Sequence, residues 1–343
     1  MSAYSLEEYT RCSVDSKRAH ALFYYTVSKF LSEKYGWEGG LGIRKWIRAQ
    51  GNWRGEEMKK AHTALGWPID VEHIQRFWDN ALSDFWFTKV GKYTSHDVAM
   101  QVHNCGYNNV WVEKDWLRWG QVYCEEIHQA ILEAYNPDGC VVIPRCLTKG
   151  DACCDFRWIL TPGAKLAFSD ISPNYPGQDF AFDYLSKDPS TAEFKSLRRG
   201  VRLFATEIQT IKQILIDDFS DEGILFDRIM ENFAEDRVSL IKQVLTDSKQ
   251  PLTAELIFHN FDIPFQAFGL SDVKLSKDEC SFIVDSCPLL EGFSYFKMKE
   301  EGFEILKRQY DLMSSSFDFP YVIQMESCEA PGSEYKITIQ IKK

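Results

Sequence analysis

An internal repeat restricts the possible folds of this chain more than any other feature of its sequence. The run Val102–Cys105 (Val-His-Asn-Cys) is matched by Val284–Cys287 (Val-Asp-Ser-Cys), a shift of 182 residues (284 minus 102). Further pairs recur at nearly the same shift: Phe23 with Phe204, Val27 with Ile208, Phe30 with Ile211, Pro68 with Pro251, Gly120 with Gly302, Cys146 with Cys328, and Gly150 with Gly332. The sequence therefore predicts a tandem duplication of one domain that contains both helices and strands.

Hydrophobic periodicity predicts the order of elements within each copy. The predicted elements of the first copy are a helix over Arg18–Lys34 that stops at Gly36, three helices between Gly40 and Lys89 separated at Gly51 and at Trp67-Pro68, a strand over Val98–Cys105 paired with Asn108–Glu113, a helix over Trp116–Tyr135, and strands over Cys140–Cys146 and Ala152–Leu160. The expected fold class is α+β, with two tandem copies of a helices-β-β-α-β-β domain that form an internal pseudo-dimer. The second copy has diverged.

Three parts of the chain follow from the repeat and from the distribution of proline. Residues 1–160 form copy one, residues 197–343 form copy two, and residues 161–196 form a linker. The linker assignment depends on Pro162, Pro173, Pro176 and Pro189, and on the lack of a clear period between them.

The two copies differ at the positions that could carry chemistry. The substitutions from copy one to copy two are Cys124 to Leu306, His128 to Tyr310, Arg145 to Ser327, Asp151 to Ser333, Cys154 to Tyr335 and Asp155 to Lys336. All ten tryptophans and six of the seven histidines lie in the first 160 residues. We therefore expect copy one to hold the active or ligand-binding site, and copy two to be a degenerate structural or lid domain.

The net charge and the hydropathy of the chain restrict the classes of molecule that it could bind. The formal net charge of −11 argues against nucleic acid and anionic membranes, because those surfaces bind proteins rich in lysine and arginine. The chain has no run of about 18 apolar residues, and its first residues lack the basic and apolar regions of a signal peptide. We expect a soluble, cytoplasmic protein that binds a small-molecule substrate, with no membrane or nucleic-acid partner.

The ten cysteines indicate reduced thiols rather than a disulfide framework, because no secretory signal accompanies them. No pair has the CxxC spacing, so no structural zinc ribbon is expected. The sequence implies no cofactor.

Two cysteines and two histidines have spacings that could bring them together. His103 and Cys105 lie two apart on a predicted strand, and Cys124 and His128 lie four apart on a predicted helix, so each pair shares a face. If the helix packs on that sheet face, the four groups could form a histidine-activated thiolate or a metal site. Burial in the core is the third alternative, because Cys124 is in phase with Ile127 and Ile131 along the helix, and Cys154 is in phase with Phe156 and Trp158 along the strand.

Charged residues around the Gly150-Asp151 turn offer further candidates. Arg145 lies in an alternating apolar run, so it needs a carboxylate partner, and Asp151 or Asp155 across the hairpin is favoured over the carboxylate of a substrate. Asp151 itself is typical of a turn residue that caps its own backbone. Glu126 is a candidate general base on the helix.

The tryptophans of copy one, among them Trp119, either line a cavity for a small molecule or fill a large core. The sequence leaves these two alternatives open.

The order of Cys105, Cys124, Arg145, Gly150-Asp151 and Cys154-Asp155-Phe156 resembles the L-2-amino-thiazoline-4-carboxylic acid hydrolase family. The Gly-Asp-x-x-Cys-x-Phe part is also similar to the vinyl reductase domain, a small α/β module that binds ligands. The resemblance covers residues 20–160 and, more weakly, 200–343. The chain departs from the family pattern in two respects, one of which is the tandem duplication. The acidic residue three positions after the helix cysteine is replaced by Ile127, and Glu126 precedes it.

The resemblance implies hydrolytic opening of a small heterocycle that bears a carboxylate, at a C–N or C–S bond, in specialised metabolism. A cysteine thiolate or an activated water would attack the amidine carbon, His128 or Glu126 would move the proton, and Arg145 would hold the carboxylate. The catalytic candidates are Cys105, Cys124, Cys154, His128 and Glu126. The candidates for substrate binding are Arg145, His103, Asp151 and Trp119.

Two other classes of protein remain as alternatives to an enzyme. A non-catalytic module for binding or sensing a small ligand would have inert thiols, and a scaffold protein would expose a large apolar patch. A fused pair of copies mimics a two-fold dimer, so we expect a monomer.

Overall fold

A computed structural model describes residues 4–79, 89–160, 189–316, 320–327 and 334–342. The chain forms two compact units, one of residues 28–192 and the other of residues 1–27 together with residues 193–343. Among the described residues, no helix is both long enough and apolar enough to cross a membrane. Most of the predicted linker lies outside the described residues, as do Cys328, Gly332 and Ser333. The predicted roles of the two copies stay predictions.

The first half of the chain folds as helices followed by a four-stranded antiparallel sheet. Its elements are α1 (Leu6–Ala64), α2 (Val71–Arg76), β1 (Lys89–Thr94), β2 (Asp97–Val102), α3 (Gly106–Glu113), α4 (Leu117–Tyr135), β3 (Cys140–Val142), a 3-10 turn (Leu147–Lys149) and β4 (Cys154–Ile159). The strand order in the sheet is β1-β2-β4-β3.

The second half repeats this plan. Its elements are α5 (Pro189–Phe219), α6 (Ile224–Ser248), α7 (Ala254–His259), a 3-10 turn (Phe265–Ala267), β5 (Gly269–Leu275), β6 (Glu279–Ser286), α8 (Pro288–Tyr295), α9 (Lys299–Ser315), β7 (Tyr321–Ser327) and β8 (Tyr335–Ile341). The strand order is β5-β6-β8-β7, the same as in the first sheet. The predicted α+β class is confirmed.

Details of the backbone recur at the sequence shift of 182 residues. Asp115 (φ 52°) and Lys297 (φ 60°), which are 182 apart (297 minus 115), both take the left-handed conformation that non-glycine residues rarely adopt. Asp115 lies just before helix α4, and Lys297 lies just before helix α9. Such pairs of unusual features support the inferred duplication.

Two glycines permit a close helix approach, one in each unit. A Cβ added to Gly120 on α4 would lie 2.3 Å from the Trp111 ring, and one added to Gly302 on α9 would lie 2.4 Å from the Phe293 ring. Both rings are fully buried and come from the short helix that precedes the long one. The glycines therefore let α3 meet α4 and α8 meet α9 at a distance that no larger residue allows.

Several predicted boundaries are wrong. Asn108–Glu113 belongs to helix α3, not to a strand, because Tyr107, Val110 and Trp111 have helical spacing; β2 instead pairs with β1 and β4. As β2 ends at Val102, His103 and Cys105 do not share a strand face.

Two further corrections concern the ends of elements. The predicted stop at Gly36 is confirmed by a non-helical conformation within α1 (φ 54°, ψ −118°). Gly51 does not interrupt α1; it is a place of close packing, since a Cβ there would lie 2.7 Å from Ala130 Cβ. The strand predicted to reach Cys146 ends at Val142, and residues 189–196 of the predicted linker are helical.

The N-terminal arm of α1 packs against α5. Within this unit the Phe23 and Phe204 rings lie 5.3 Å apart, edge to face. The His20 Nδ1 and a Glu207 carboxylate oxygen are 2.7 Å apart, and all four side chains are buried. Residues 6–27 are thus held to helix α5 of the same unit by apolar and polar contacts.

We expect Gly120→Ala and Gly302→Ala to destabilise their own units. Overpacking a rigid buried ring costs about 1–3 kcal/mol, which outweighs the gain in helix propensity of up to about 1 kcal/mol. Peptide-resolved hydrogen exchange should show faster exchange over residues 106–135 for Gly120→Ala and over 288–315 for Gly302→Ala. Glu125→Ala and Glu304→Ala, at exposed positions of the same helices, serve as controls. Exchange unchanged from the wild type would refute the close-approach argument.

Candidate active site

Helix α4 lies against one face of strand β4. Cys154, Phe156 and Trp158 alternate along β4, so they share that face. The His128 ring centroid on α4 is 4.8 Å from that of Phe156 and 5.9 Å from that of Trp158. Cys124 lies one turn before His128 on the same helix. The sequence prediction set Cys124 and His128 against the face of His103 and Cys105, whereas in the structure His128 packs on the β4 face that carries Cys154.

Three thiols meet at this place, and we call Cys124, Cys146 and Cys154 the thiol cluster. Cys146 Sγ lies 3.6 Å from Cys154 Sγ and 3.0 Å from Thr148 Oγ1, and it also hydrogen-bonds with the Cys124 thiol. The three residues are between 2% and 8% exposed. Cys154 Sγ further accepts the Leu147 backbone N–H at 3.2 Å.

The Gly150-Asp151 turn holds Cys146 in this position. The Asp151 carboxylate accepts the Cys146 backbone N–H at 2.7 Å, and the Asp155 backbone N–H donates to the Arg145 carbonyl at 3.0 Å. Gly150 takes a left-handed conformation (φ 85°). The turn thus reverses the chain direction, so that Cys146 and Cys154 lie opposite each other.

The thiols of the cluster differ in acidity. Hydrogen bonds from Cys124, Cys154 and Thr148 lower the pKa of the Cys146 thiol, because they stabilise its charged form. Hydrogen bonding to Cys146 and burial raise the pKa of Cys124 and that of Cys154. The cluster therefore favours a thiolate on Cys146 over one on Cys124 or Cys154. A thiolate is the nucleophilic form of cysteine.

His128 is a neutral imidazole beside the cluster. Its Nδ1–H donates to the Cys124 carbonyl at 2.8 Å, which leaves the lone pair on Nε2. Loss of solvation lowers the pKa of His128 to about 4, and Cys146 lies within electrostatic range. At neutral pH His128 can accept a proton.

The predicted catalytic residues Cys105 and Glu126 stand apart from the thiol cluster to different degrees. Cys105 is the N-cap of α3, half-buried and within electrostatic range of Cys124 and Cys154. Both carboxylate oxygens of Glu126 accept from guanidinium groups, one from Arg44 and the other from Arg48 at 3.1 Å. Glu126 therefore faces α1.

The residues predicted to bind substrate are also dispersed. Arg145 Nε donates to Asp155, so the internal pair favoured by the sequence forms; the Arg145 side chain is 54% exposed and that of Asp155 is 2% exposed. His103 is exposed and lies 3.3 Å from the Gln101 amide oxygen. Trp119 packs over Gly40 of α1, and Asp151 caps the turn.

Sequence reasoning did not select Cys146 as a candidate. The available signal was its symmetry with Cys154, since the two cysteines stand four residues before and four residues after Gly150. A hairpin centred on that glycine places them opposite each other. The corresponding copy-two residue, Cys328, lies outside the described residues.

The equivalent face in the other unit carries no such cluster among the described residues. Leu306, Tyr310 and Tyr335 occupy the positions of Cys124, His128 and Cys154, and all three are buried. Burial raises the pKa of the thiol of Cys287, the residue that corresponds to Cys105, to about 12, and that thiol hydrogen-bonds with Tyr335. At these positions a packed aromatic core replaces the acidic thiol.

Comparison with known proteins supports the resemblance seen in the sequence. The sequence model of the L-2-amino-thiazoline-4-carboxylic acid hydrolase family matches residues 16–158, which include every candidate site residue named above. No curated protein and no solved structure matches the chain.

We expect Thr148→Val to raise the pKa of the Cys146 thiol by about one pH unit, because a hydrogen bond to a charged group contributes about 1.5 kcal/mol. The pH profile of Cys146 alkylation would then move to higher pH by that amount. Alkylation rate against pH, followed by mass spectrometry, measures the shift. Thr148→Ser keeps the hydroxyl and should leave the profile unchanged. Equal profiles for the two variants would contradict the assigned hydrogen bond.

Proposed function

We propose that this chain hydrolyses a small heterocycle that bears a carboxylate, because residues 16–158 match the sequence model of the L-2-amino-thiazoline-4-carboxylic acid hydrolase family. The observation that carries the proposal is the Cys146 sulfur, which lies 3.6 Å from Cys154 Sγ and 3.0 Å from Thr148 Oγ1, beside the neutral imidazole of His128. A nucleophile with a nearby proton acceptor is the arrangement that covalent hydrolysis requires.

The first step is addition of the Cys146 sulfur to the ring carbon that is bonded to both sulfur and nitrogen. A C–S bond to the protein forms, and the ring opens at its own C–S or C–N bond. The leaving atom takes a proton from Cys124 or Cys154, whose thiols already donate toward Cys146. Because both donors are buried, water does not compete for this proton.

The second step is hydrolysis of the covalent intermediate. Water attacks the same carbon, the bond to Cys146 breaks, and the Cys146 thiolate is restored. One proton of the water stays with the product. His128 Nε2 passes the other proton back to Cys124 or Cys154, whichever thiol gave its proton to the leaving atom. Of the two proton carriers that the sequence suggested, His128 takes this role rather than Glu126, since both Glu126 oxygens accept from arginines.

One group beside the cluster supports binding of a polar ligand. Arg145 is not that group, because it pairs with Asp155, which contacts Cys153 on the side of the hairpin that faces away from the cluster. The Trp158 indole N–H is buried without a hydrogen-bond partner among the described residues. Because buried donors are nearly always hydrogen-bonded, a ligand atom could accept this one. Asp151 positions Cys146 through its backbone.

Turnover of L-2-amino-thiazoline-4-carboxylate by the full chain tests the proposal. Cys146→Ser should reduce kcat/KM by roughly 10³-fold or more, since removal of a nucleophile removes the covalent route. Cys153→Ser is the matched control. Cys153 is equally buried but contacts Asp155 at 3.7 Å and faces away from the cluster. A product thiol would indicate cleavage of the ring C–S bond, and a product amine would indicate cleavage of the C–N bond.

Full turnover by Cys146→Ser would exclude the thiolate mechanism. A second candidate function, ligand binding without catalysis, is favoured by the low exposure of all three thiols. It predicts no turnover by the wild type, slow alkylation of the cluster until the chain unfolds, and a tryptophan fluorescence change on addition of the thiazoline. Rapid alkylation of Cys146 in the folded chain would count against it.

A further inference from the structure

Cys146 and Cys154 have the geometry of a dithiol that can close into a disulfide. Their sulfur atoms are 3.6 Å apart, already in contact. The neighbouring residues Arg145 and Asp155 are joined by a backbone hydrogen bond of 3.0 Å, so the two chain segments run side by side. Directly opposed residues in antiparallel segments have Cα atoms about 4.5–5.5 Å apart, within the range of about 4.4–6.8 Å found for disulfides.

We propose that Cys146 and Cys154 form an oxidation site, at which a hydroperoxide converts the two thiols into an intramolecular disulfide. The inference rests on the proposed function only in that the same sulfur would be the hydrolytic nucleophile. The disulfide itself requires no substrate and no turnover.

The chemistry balances with the hydroperoxide as the sole oxidant. The Cys146 thiolate attacks one peroxide oxygen, the O–O bond breaks, and hydroxide leaves, so that Cys146 becomes a sulfenic acid. The Cys154 sulfur then attacks the sulfenic sulfur, the S–O bond breaks, and water leaves with the thiol proton. Two thiols and one hydrogen peroxide give one disulfide and two waters.

Each partner is suited to its step. Cys146 is the first to react because it holds the thiolate of the cluster, and the thiolate is the form that peroxide oxidises. Cys154 is the resolving cysteine because it belongs to the same hairpin and its sulfur is fixed against that hairpin by the Leu147 N–H at 3.2 Å. Cys124, by contrast, lies on helix α4, a separate element.

The consequence is reversible loss of the nucleophile. In the disulfide the Cys146 sulfur has no thiolate to attack a substrate, and a dithiol reductant restores it. Oxidation at this site would therefore switch the proposed hydrolase off without damage to the fold.

Mass spectrometry of the reduced full chain after hydrogen peroxide, alkylation and digestion without reductant tests the site. The expected result is a cross-link between Cys146 and Cys154 that dithiothreitol reverses. Cys153→Ser removes the ambiguity of the adjacent cysteine and should cross-link as the wild type does. Cys154→Ser should give no such cross-link and should increase several-fold the Cys146 sulfenic acid trapped by a 1,3-diketone.

Three results would overturn the proposal: a cross-link from Cys146 to a different cysteine, oxidation of Cys146 that dithiothreitol does not reverse, or equal diketone trapping in the wild type and Cys154→Ser. Because the readout is mass, the two proposals fail separately. If the chain forms the disulfide but does not turn over the thiazoline, only the proposed hydrolase is refuted. If the chain turns over the thiazoline but forms no disulfide after hydrogen peroxide, only the oxidation site is refuted.

Discussion

The close approach of two helices at a glycine is the constraint on which each unit depends. Gly120 brings α4 against Trp111, and Gly302 brings α9 against Phe293. Side chains four residues apart share one face of a helix, so Cys124 and His128 follow Gly120 in the same stripe. The depth of the glycine contact therefore sets how far the thiol and the imidazole reach toward the sheet.

The same constraint is compatible with two different interiors. In the unit that contains residues 193–343, the stripe after Gly302 carries Leu306 and Tyr310. These two residues and Tyr335 are buried and form an apolar and aromatic layer. In the unit of residues 28–192 the stripe carries Cys124 and His128. Neighbouring hydrogen-bonding groups can take the place of water around a charged thiol at Cys146, whereas an unpaired buried charge would be costly. The same backbone plan thus accommodates either an apolar and aromatic layer or a cluster of thiols at one set of positions.

Much of the fold could be predicted from the sequence, because the repeat and the periodicity are strong signals. The strands β2 and β4, the helix α4 and the two-copy order follow from them. The prediction was wrong where tertiary context decides, as at Asn108–Glu113, whose apolar residues fit a short helix or a strand equally well. The predicted break at Gly51 was wrong because a glycine that permits close packing looks the same in sequence as one that ends a helix.

The candidate site was only partly accessible to the same reasoning. The shared helix face of Cys124 and His128 and the Arg145–Asp155 pair follow from the sequence, but the shared-face argument set that helix against His103 and Cys105 rather than against Cys154. The importance of Cys146 depends on the register of that hairpin and on Thr148, which no periodicity reveals. The partners of Glu126, Arg44 and Arg48, come from a helix about 80 residues away in the sequence, with separations of 82 and 78.

The N-terminal arm of α1 has a consequence for how this chain can be divided. Residues 1–27 belong to the compact unit that also contains residues 193–343, and Phe23 packs there on Phe204. A cut midway along the sequence would separate these rings and expose the apolar side of both helices to water. The boundary between repeats in the sequence and the boundary between folding units therefore do not coincide. A fragment that keeps only one repeat would lack part of a core that the whole chain buries.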